Sequence, residues 1–386
     1  MKKKKTTRSV RSIMKKKKKT TTTRVSVPQE IIFEILKELP VKTLLRFRCV
    51  SKLWRSIIDD PLFGQSHHNR SINRPGGIKL LFVTTLGYHY WTFYSTDPEG
   101  GSALRLSSNI LADLYFPLYS VKGLVCFQNC NCNPNTRERK PLPPVAIQIP
   151  GGFHKLTVAS FNLLGFDRAS GKHKVLNITQ FDFVDDDEDE GKTQFKLLTL
   201  GGAASKWRDI DHNNTDSSVY IPLDRFSVGD SKRACFINGT IYCLGTIYCL
   251  EKRRVILAFE VGPESLKIMP FPKGAASDSF FVIPVRERLA LINSRVTEIW
   301  ILEDYDKQLW KKQTLKVPCP CKRSIVPFCS IGGEILFGYN EGKFSFFYYD
   351  LETDTAGKVQ ELSKLVASTP VYFTNHTESI FRLEGI

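Results

Sequence analysis

Four segments of this chain repeat one pattern: an apolar strand, an acid, a few turn residues, then Lys or Trp and a second apolar strand. They are LLGFDRASGKHKVL, ILAFEVGPESLKIM, IWILEDYDKQLWKK and FFYYDLETDTAGKV, with acids at Asp167, Glu260, Asp304 and Asp350. The acids lie 93, 44 and 46 residues apart, and the first interval is close to twice the others. A period of about 45 residues suits one four-stranded propeller blade. Other short runs, such as IKLLFVTT, YHYWTFYS, GLVCF and FKLLTL, are rich in β-branched and aromatic residues and are bounded by Gly, Pro, Asp and Asn. They imply an all-β domain over residues 78–386, long enough for about six or seven such units. FKLLTLGGAASKWRDI reads as the skipped unit with its register shifted, and DDDEDE (Asp185 to Glu190) reads as an insertion ahead of it.

The opening of the chain is different. Residues 1–24 hold nine Lys, three Arg and no acid, so they supply +12 of the formal +16. The body is near neutral. A block of like charge repels itself and buries little, so 1–24 is expected to be a disordered tail. It reads equally as a nuclear-import signal, a weak nonspecific nucleic-acid contact, or a solvated extension. No apolar stretch follows the basic residues, and no run of about 20 apolar residues exists to span a membrane. A nuclear or cytoplasmic chain with reduced thiols is expected.

Residues 25–65 read as three short helices. Ser26 and Gln29 can form a capping box around Pro28, and Pro40 stops the first helix. A second helix is expected over Thr43 to Cys49. Ser51 caps a third, with Leu53, Trp54, Ile57 and Ile58 as its stripe, which Pro61 ends. A unit this small has little core of its own, yet its helices are apolar on more than one face. The surplus face calls for a protein partner. Leu44 and Leu45 are about 100° apart on a helix. Leu44 is expected to face outward and Leu45 inward.

The stretch VPQEIIFEILKELPVKTLLRFRCVSKLWRSIIDDPLF (Val27 to Phe63) resembles an F-box, most specifically in CVSKLW (Cys49 to Trp54). Val27 stands where the family pattern has Leu. VKGLVCF with NPNTRERKPLPP, then LLGFDRASGKHKVL, LLTLGGAASKWRDI, CFINGTIYCL and IWILEDYDKQLWKK, resemble in order the landmarks of the type-3 F-box-associated domain of plant F-box proteins. The resemblance implies an α+β multidomain chain: a small three-helix F-box, a polar linker over 66–77, and an all-β, propeller-like domain. It implies a substrate receptor of a Skp–cullin–F-box ubiquitin ligase. The F-box would dock on the Skp-type adaptor and through it on cullin, and the β domain would hold a target protein. By position the docking residues would be Pro28, Ile31, Ile35, Leu36, Leu39, Pro40, Leu44, Leu45, Val50 and Trp54.

Other chemistries have thinner support. Lys42, Arg46, Arg48, Lys52 and Arg55 are spread over two helices with no Asn or Gln to read bases, which argues against a DNA reader. Cys126, Cys130 and Cys132, and the Cys319–Cys321 pair, lack zinc spacing. DDDEDE lacks the spaced ligands of a calcium loop. His67 and His68 read as exposed loop residues. No hydrolase, metalloprotease or P-loop motif is present. Neither catalysis nor a cofactor is therefore expected. The competing class is a propeller scaffold or enzyme that works without the ligase, or an F-box chain with no productive target. The tandem repeat GTIYCLGTIYCL (Gly239 to Leu250) is an even insertion, so it preserves strand alternation.

Overall fold

A computed structural model describes residues 27–383 apart from 87–89, 112–118, 128–129, 148–155, 184–191, 202–205, 211–225, 229–233, 249–251, 276–279, 294–297, 318–324, 341–343 and 366–371. The basic tail, Ser26, the acidic run and the Cys319–Cys321 pair lie outside the described residues.

Four helices come first: α1 (Gln29–Lys37), α2 (Val41–Phe47), α3 (Lys52–Ile58) and α4 (Pro61–Asn73). Ser51 caps α3 as expected, its hydroxyl accepting from the Trp54 amide at 3.1 Å. The third helix ends before Pro61, at Ile58, but a fourth follows where three helices and a linker were expected: Pro61 occupies the first turn of α4, where its missing N–H costs nothing, and Asp60 caps that helix through the Leu62 amide at 2.8 Å. The stretch expected as a linker therefore begins as helix. The buried face of α4 is Phe63, Gly64, His67, His68 and Ser71. That spacing is helical, but the residues are small or polar, so an apolar periodicity does not reveal it. His67 and His68 are accordingly buried, not exposed. The ring Nε2 of His67 bonds the Leu39 carbonyl at 2.8 Å.

Six antiparallel sheets follow in a ring. Blade 1 comprises strands Ile78–Leu86, Tyr90–Asp97 and Gly100–Leu111, and takes its innermost strand, Tyr372–Thr377, from the end of the chain. Blade 2 spans Ser120–Val121 to Glu138–Pro141, blade 3 Leu156–Asp167 to Arg208–Asp209, and blade 4 Phe226–Val228 to Ser265–Pro270. Blade 5 spans Phe280–Val285 to Leu309–Thr314, and blade 6 Val326–Ile331 to Thr355–Lys358. A short helix, α5 (Gln360–Leu365), joins blade 6 to the closing strand.

Each pair of neighbouring blades shares one apolar core, which is why the ring holds. Leu81, Phe93 and Val125 join blades 1 and 2, and Leu164, Val175 and Cys126 join blades 2 and 3. Phe195, Ile241 and Phe259 join blades 3 and 4. Ile256, Phe280 and Leu291 join blades 4 and 5, and Ile292, Ile335 and Phe337 join blades 5 and 6. Leu80, Phe82, Leu336 and Phe346 close blade 6 onto blade 1. Cys126 and Cys132 face different cores and cannot share a ligand. Burial pushes the Cys132 thiol up to about 12.

Hairpin chemistry explains the repeat. The turns between third and fourth strands carry Asp97, Asn133, Glu260, Asp304 and Asp350 at the end of the third strand. Short polar side chains there close the turn on themselves: Asp350 accepts from the Glu352 amide at 2.8 Å, Asp304 from Lys307 at 2.9 Å, Asn133 from Asn135 at 3.0 Å. Asp167 belongs elsewhere. It ends the first strand of blade 3, so the 93-residue interval joined two different turns. The turns between first and second strands in blades 2, 5 and 6, and the turn from Ala234–Ile237 to Thr240–Tyr248 in five-stranded blade 4, are two residues long with both at positive φ, as at Asn238 (48°) and Gly239 (92°). Such turns match the right-handed twist of the strands they join.

Within the duplicated GTIYCL, Thr240–Tyr248 is one strand, which pairs with Lys252–Glu260 with no register shift; Cys249 and Leu250 lie outside the described residues. Ile241 and its copy Ile247 both enter the core between blades 3 and 4.

Candidate docking surface

The helical bundle is built around Leu36, Val41, Leu44, Ile57, Ile58 and Phe63, all buried. The ten residues singled out above divide by burial. Pro28, Ile31, Ile35, Pro40 and Val50 are exposed; Leu39, Leu45 and Trp54 are half-buried; Leu36 and Leu44 are interior. Leu44 is 0% exposed, which reverses the expected roles of Leu44 and Leu45. The reason is helix phase. The helix begins at Val41, directly after Pro40, rather than at Thr43, so Val41 and Leu44 share the inward face at i, i+3.

Ile31 and Ile35 lie one helical turn apart on α1, 50% and 55% exposed. Val50 and Leu53 present a second exposed pair at the start of α3, 62% and 41% exposed. Leu53 departs from the expected α3 stripe: its position one residue before half-buried Trp54 turns it outward. Of eleven large apolar side chains exposed among the described residues, seven fall between Val27 and Ile72. Leu45, Cys49, Val50, Arg48, Lys52 and Arg55 line a basin of about 540 Å³ beside this surface.

Lys42, Arg46, Lys52 and Arg55 are exposed, and Lys52 and Arg55 adjoin Leu45 and Val50 at the basin. Arg48 and Arg55 are tied to Asp59, at 2.8 and 3.6 Å, and Arg382 reaches the same carboxylate at 3.4 Å. The cations thus border an apolar face and serve an internal ion pair, rather than forming one continuous basic stripe.

The bundle sits at the end of the propeller that carries the first-to-second and third-to-fourth turns. The Lys122 ammonium in the first turn of blade 2 reaches Asn69 of α4 at 3.4 Å, and Gln65 lies against Gly171. Strand alternation sends the ends Phe127, Phe183, Asn293 and Asn340 to the opposite end. Along the axis is a cavity of about 100 Å³ lined by Tyr119, Cys235, Phe281, Phe328 and Tyr372. Among the described residues, no cluster of three His, Cys, Asp or Glu could hold a metal ion. Among them also, no helix is long and apolar enough to cross a membrane.

A small helical bundle fixed to a six-bladed propeller defines the class. The chain belongs to the F-box-associated beta propeller family, whose model matches residues 79–376, and the F-box domain model matches residues 26–66. It is 26% identical to F-box protein At1g30790 of Arabidopsis thaliana, over 86% of this chain and 89% of that protein. It is 28% identical to F-box protein At3g57590 of the same plant, over 92% of this chain and 91% of that protein. Among solved structures, TolB from Acinetobacter baumannii matches with a TM-score of 0.41 at 12% identity, covering 84% of this chain and 73% of that one.

Proposed function

We propose that this chain is the substrate receptor of a Skp–cullin–F-box ubiquitin ligase. The bundle docks on the Skp-type adaptor, and the propeller holds a target protein. The observation that carries this reading is the crowding of exposed apolar side chains onto one small bundle: Ile31, Ile35, Val50 and Leu53 stand in water beside a filled core. An exposed apolar face of this kind is a protein-docking surface. The family match and the plant F-box relatives support the same partner. In this reading the chain performs no chemistry; it positions a target for enzymes that the cullin brings. The Lys-rich first 24 residues fit a nuclear or cytoplasmic place of action.

The test is co-purification of the full chain with a Skp-type adaptor and cullin, beside an Ile35→Asp/Val50→Asp variant. The wild type should bring both proteins and the variant neither, while its circular dichroism stays native. Failure of the wild type to retain the adaptor would overturn the reading.

A further inference from the structure

The strand that closes the propeller and the residues that complete the helical bundle are one continuous piece of chain. Tyr372–Thr377 fills the innermost place of blade 1, with Ile78 opposite Thr377 and Val83 opposite Tyr372. The next six residues alternate between the two bodies. Glu378 Oε2 accepts from the Val41 amide at the start of α2 and from Arg74 just after α4, both at 3.2 Å. Ser379 and Phe381 offer their carbonyls to the Asn133 side-chain amide in blade 2, at 3.0 and 2.8 Å. Ile380, 2% exposed, enters the bundle core with Leu36, Leu44 and Phe63. The Phe381 ring lies edge-on to His173 of blade 3, 5.4 Å between centroids, and also meets His68 of α4. Arg382 spans Asp59 after α3 and Glu138 of blade 2, at 3.4 and 3.6 Å. Leu383 enters the core between blades 2 and 3.

A bundle of this length is at the margin of independent stability, so one core side chain supplied from outside matters to it. Pro40, at the cap position of α2, offers no side-chain acceptor; Glu378 supplies one from across the chain. Both contributions are held in place by the closing strand immediately before them.

We propose that Glu378–Leu383 is a latch that positions the docking surface, so that a docking-competent F-box is presented only while the propeller ring is closed. Adaptor capture then selects chains whose target-binding domain has folded. The inference rests on the receptor reading above and adds a condition to it. Coupling of this kind is reciprocal: whatever closure contributes to adaptor binding, adaptor binding returns to closure.

The experiment uses the full chain and a recombinant Skp-type adaptor from Arabidopsis thaliana. Glu378→Ala/Ile380→Ala should weaken adaptor binding by about tenfold or more, and Ile380→Val alone by about threefold or less. Because the double variant can lose its fold, hydrogen exchange on the wild type supplies the second arm. Adaptor binding should slow exchange of the Tyr372–Thr377 amides, which lie in blade 1 away from the docking face. Protection confined to α1–α4, or a folded double variant that binds like wild type, would overturn the latch. A wild-type chain that does not bind the adaptor at all would instead remove the receptor reading.

Discussion

Leu44 and Leu45 are neighbours on α2, yet Leu44 is sealed in the bundle core while Leu45 stands half-exposed at the basin beside Arg48 and Val50. Substitution should separate the two roles. An Asp in place of Leu44 puts an unpaired charge in an apolar core, at a cost of several kcal/mol, about 3–5 by analogy with broken buried pairs. Leu44→Asp should therefore melt the bundle. Leu45→Asp should leave it folded and abolish adaptor binding. Circular dichroism and calorimetry on the two proteins check this; equal effects from both would contradict the assignment.

The exposed pair on α1 makes a cleaner probe of docking alone. Ile31 and Ile35 touch little of the core, so Ile31→Asp/Ile35→Asp should shift stability by only about 0.5 kcal/mol per site. Adaptor affinity should fall by about 100-fold or more. Unchanged affinity would place the docking face elsewhere on the bundle.

Acid should loosen the joint between bundle and propeller. Burial lowers His68 to about 3, and lowers His173 and His376 to about 4, from an ordinary value of 6.5. The Lys122 ammonium adds to the effect on His68 and His173. Between pH 6.5 and about 4 the unfolded chain therefore binds protons that the folded chain excludes. Stability is fully present above pH 6.5 and falls as pH drops through that window, by up to about 1.4 kcal/mol per pH unit for each histidine. Urea midpoints near pH 7 and near pH 5 should differ accordingly, and His173→Gln should flatten the slope by about one proton. A slope that His173→Gln leaves untouched would count against its burial as a neutral ring.

Blades 3 and 4 are joined by a buried ion cluster. Lys174 Nζ meets Asp167 Oδ2 at 3.0 Å, Glu264 Oε1 at 2.7 Å and the Val261 carbonyl at 3.0 Å. Burial pushes the Asp167 carboxyl up, but hydrogen bonds from Ser170 and Lys174 outweigh it and hold the group at about 2. Lys174→Ala leaves Asp167 without its cation and Glu264 with Arg208 alone, and should cost about 3 kcal/mol. Thermal unfolding of that single variant measures it.

The duplicated hexapeptide tests strand parity. Deleting Gly245 to Leu250 removes an even number of residues, so every side chain of the shortened strand keeps its face. That protein should fold. Removing five residues inside the strand, Ile241 to Gly245, should instead flip Thr246 to Tyr248 relative to Thr240 and prevent a native near-ultraviolet spectrum. Equal tolerance of both deletions would show that the strand is not held by its two cores.

Much of this architecture is written locally. The acid-turn hairpins around Glu260, Asp304 and Asp350 mark consecutive blades because an Asp or Glu at a strand end, followed by turn residues, acts within a few residues of itself. The same locality makes Ser51 a visible cap and Ile31, Ile35 and Val50 a visible surplus of exposed apolar surface. Asp167 misled because its turn has the same local chemistry, and only the pairing of Leu156–Asp167 with Lys172–Phe183 reveals its different place in the blade.

Tertiary structure decided what depends on neighbours distant in sequence. The inward face of α2 follows from where Val41 begins, and that start is fixed partly by Glu378, 337 residues away. Helix α4 buries His67, His68 and Ser71 instead of leucines, because its partners are the Leu39 carbonyl and a C-terminal segment with rings and carbonyls of its own. Ile380 looks in sequence like the ragged end of a β domain. It completes the first helical core because ring closure at Tyr372–Thr377 delivers it there, a consequence of pairing between the two ends of the propeller that no local pattern encodes.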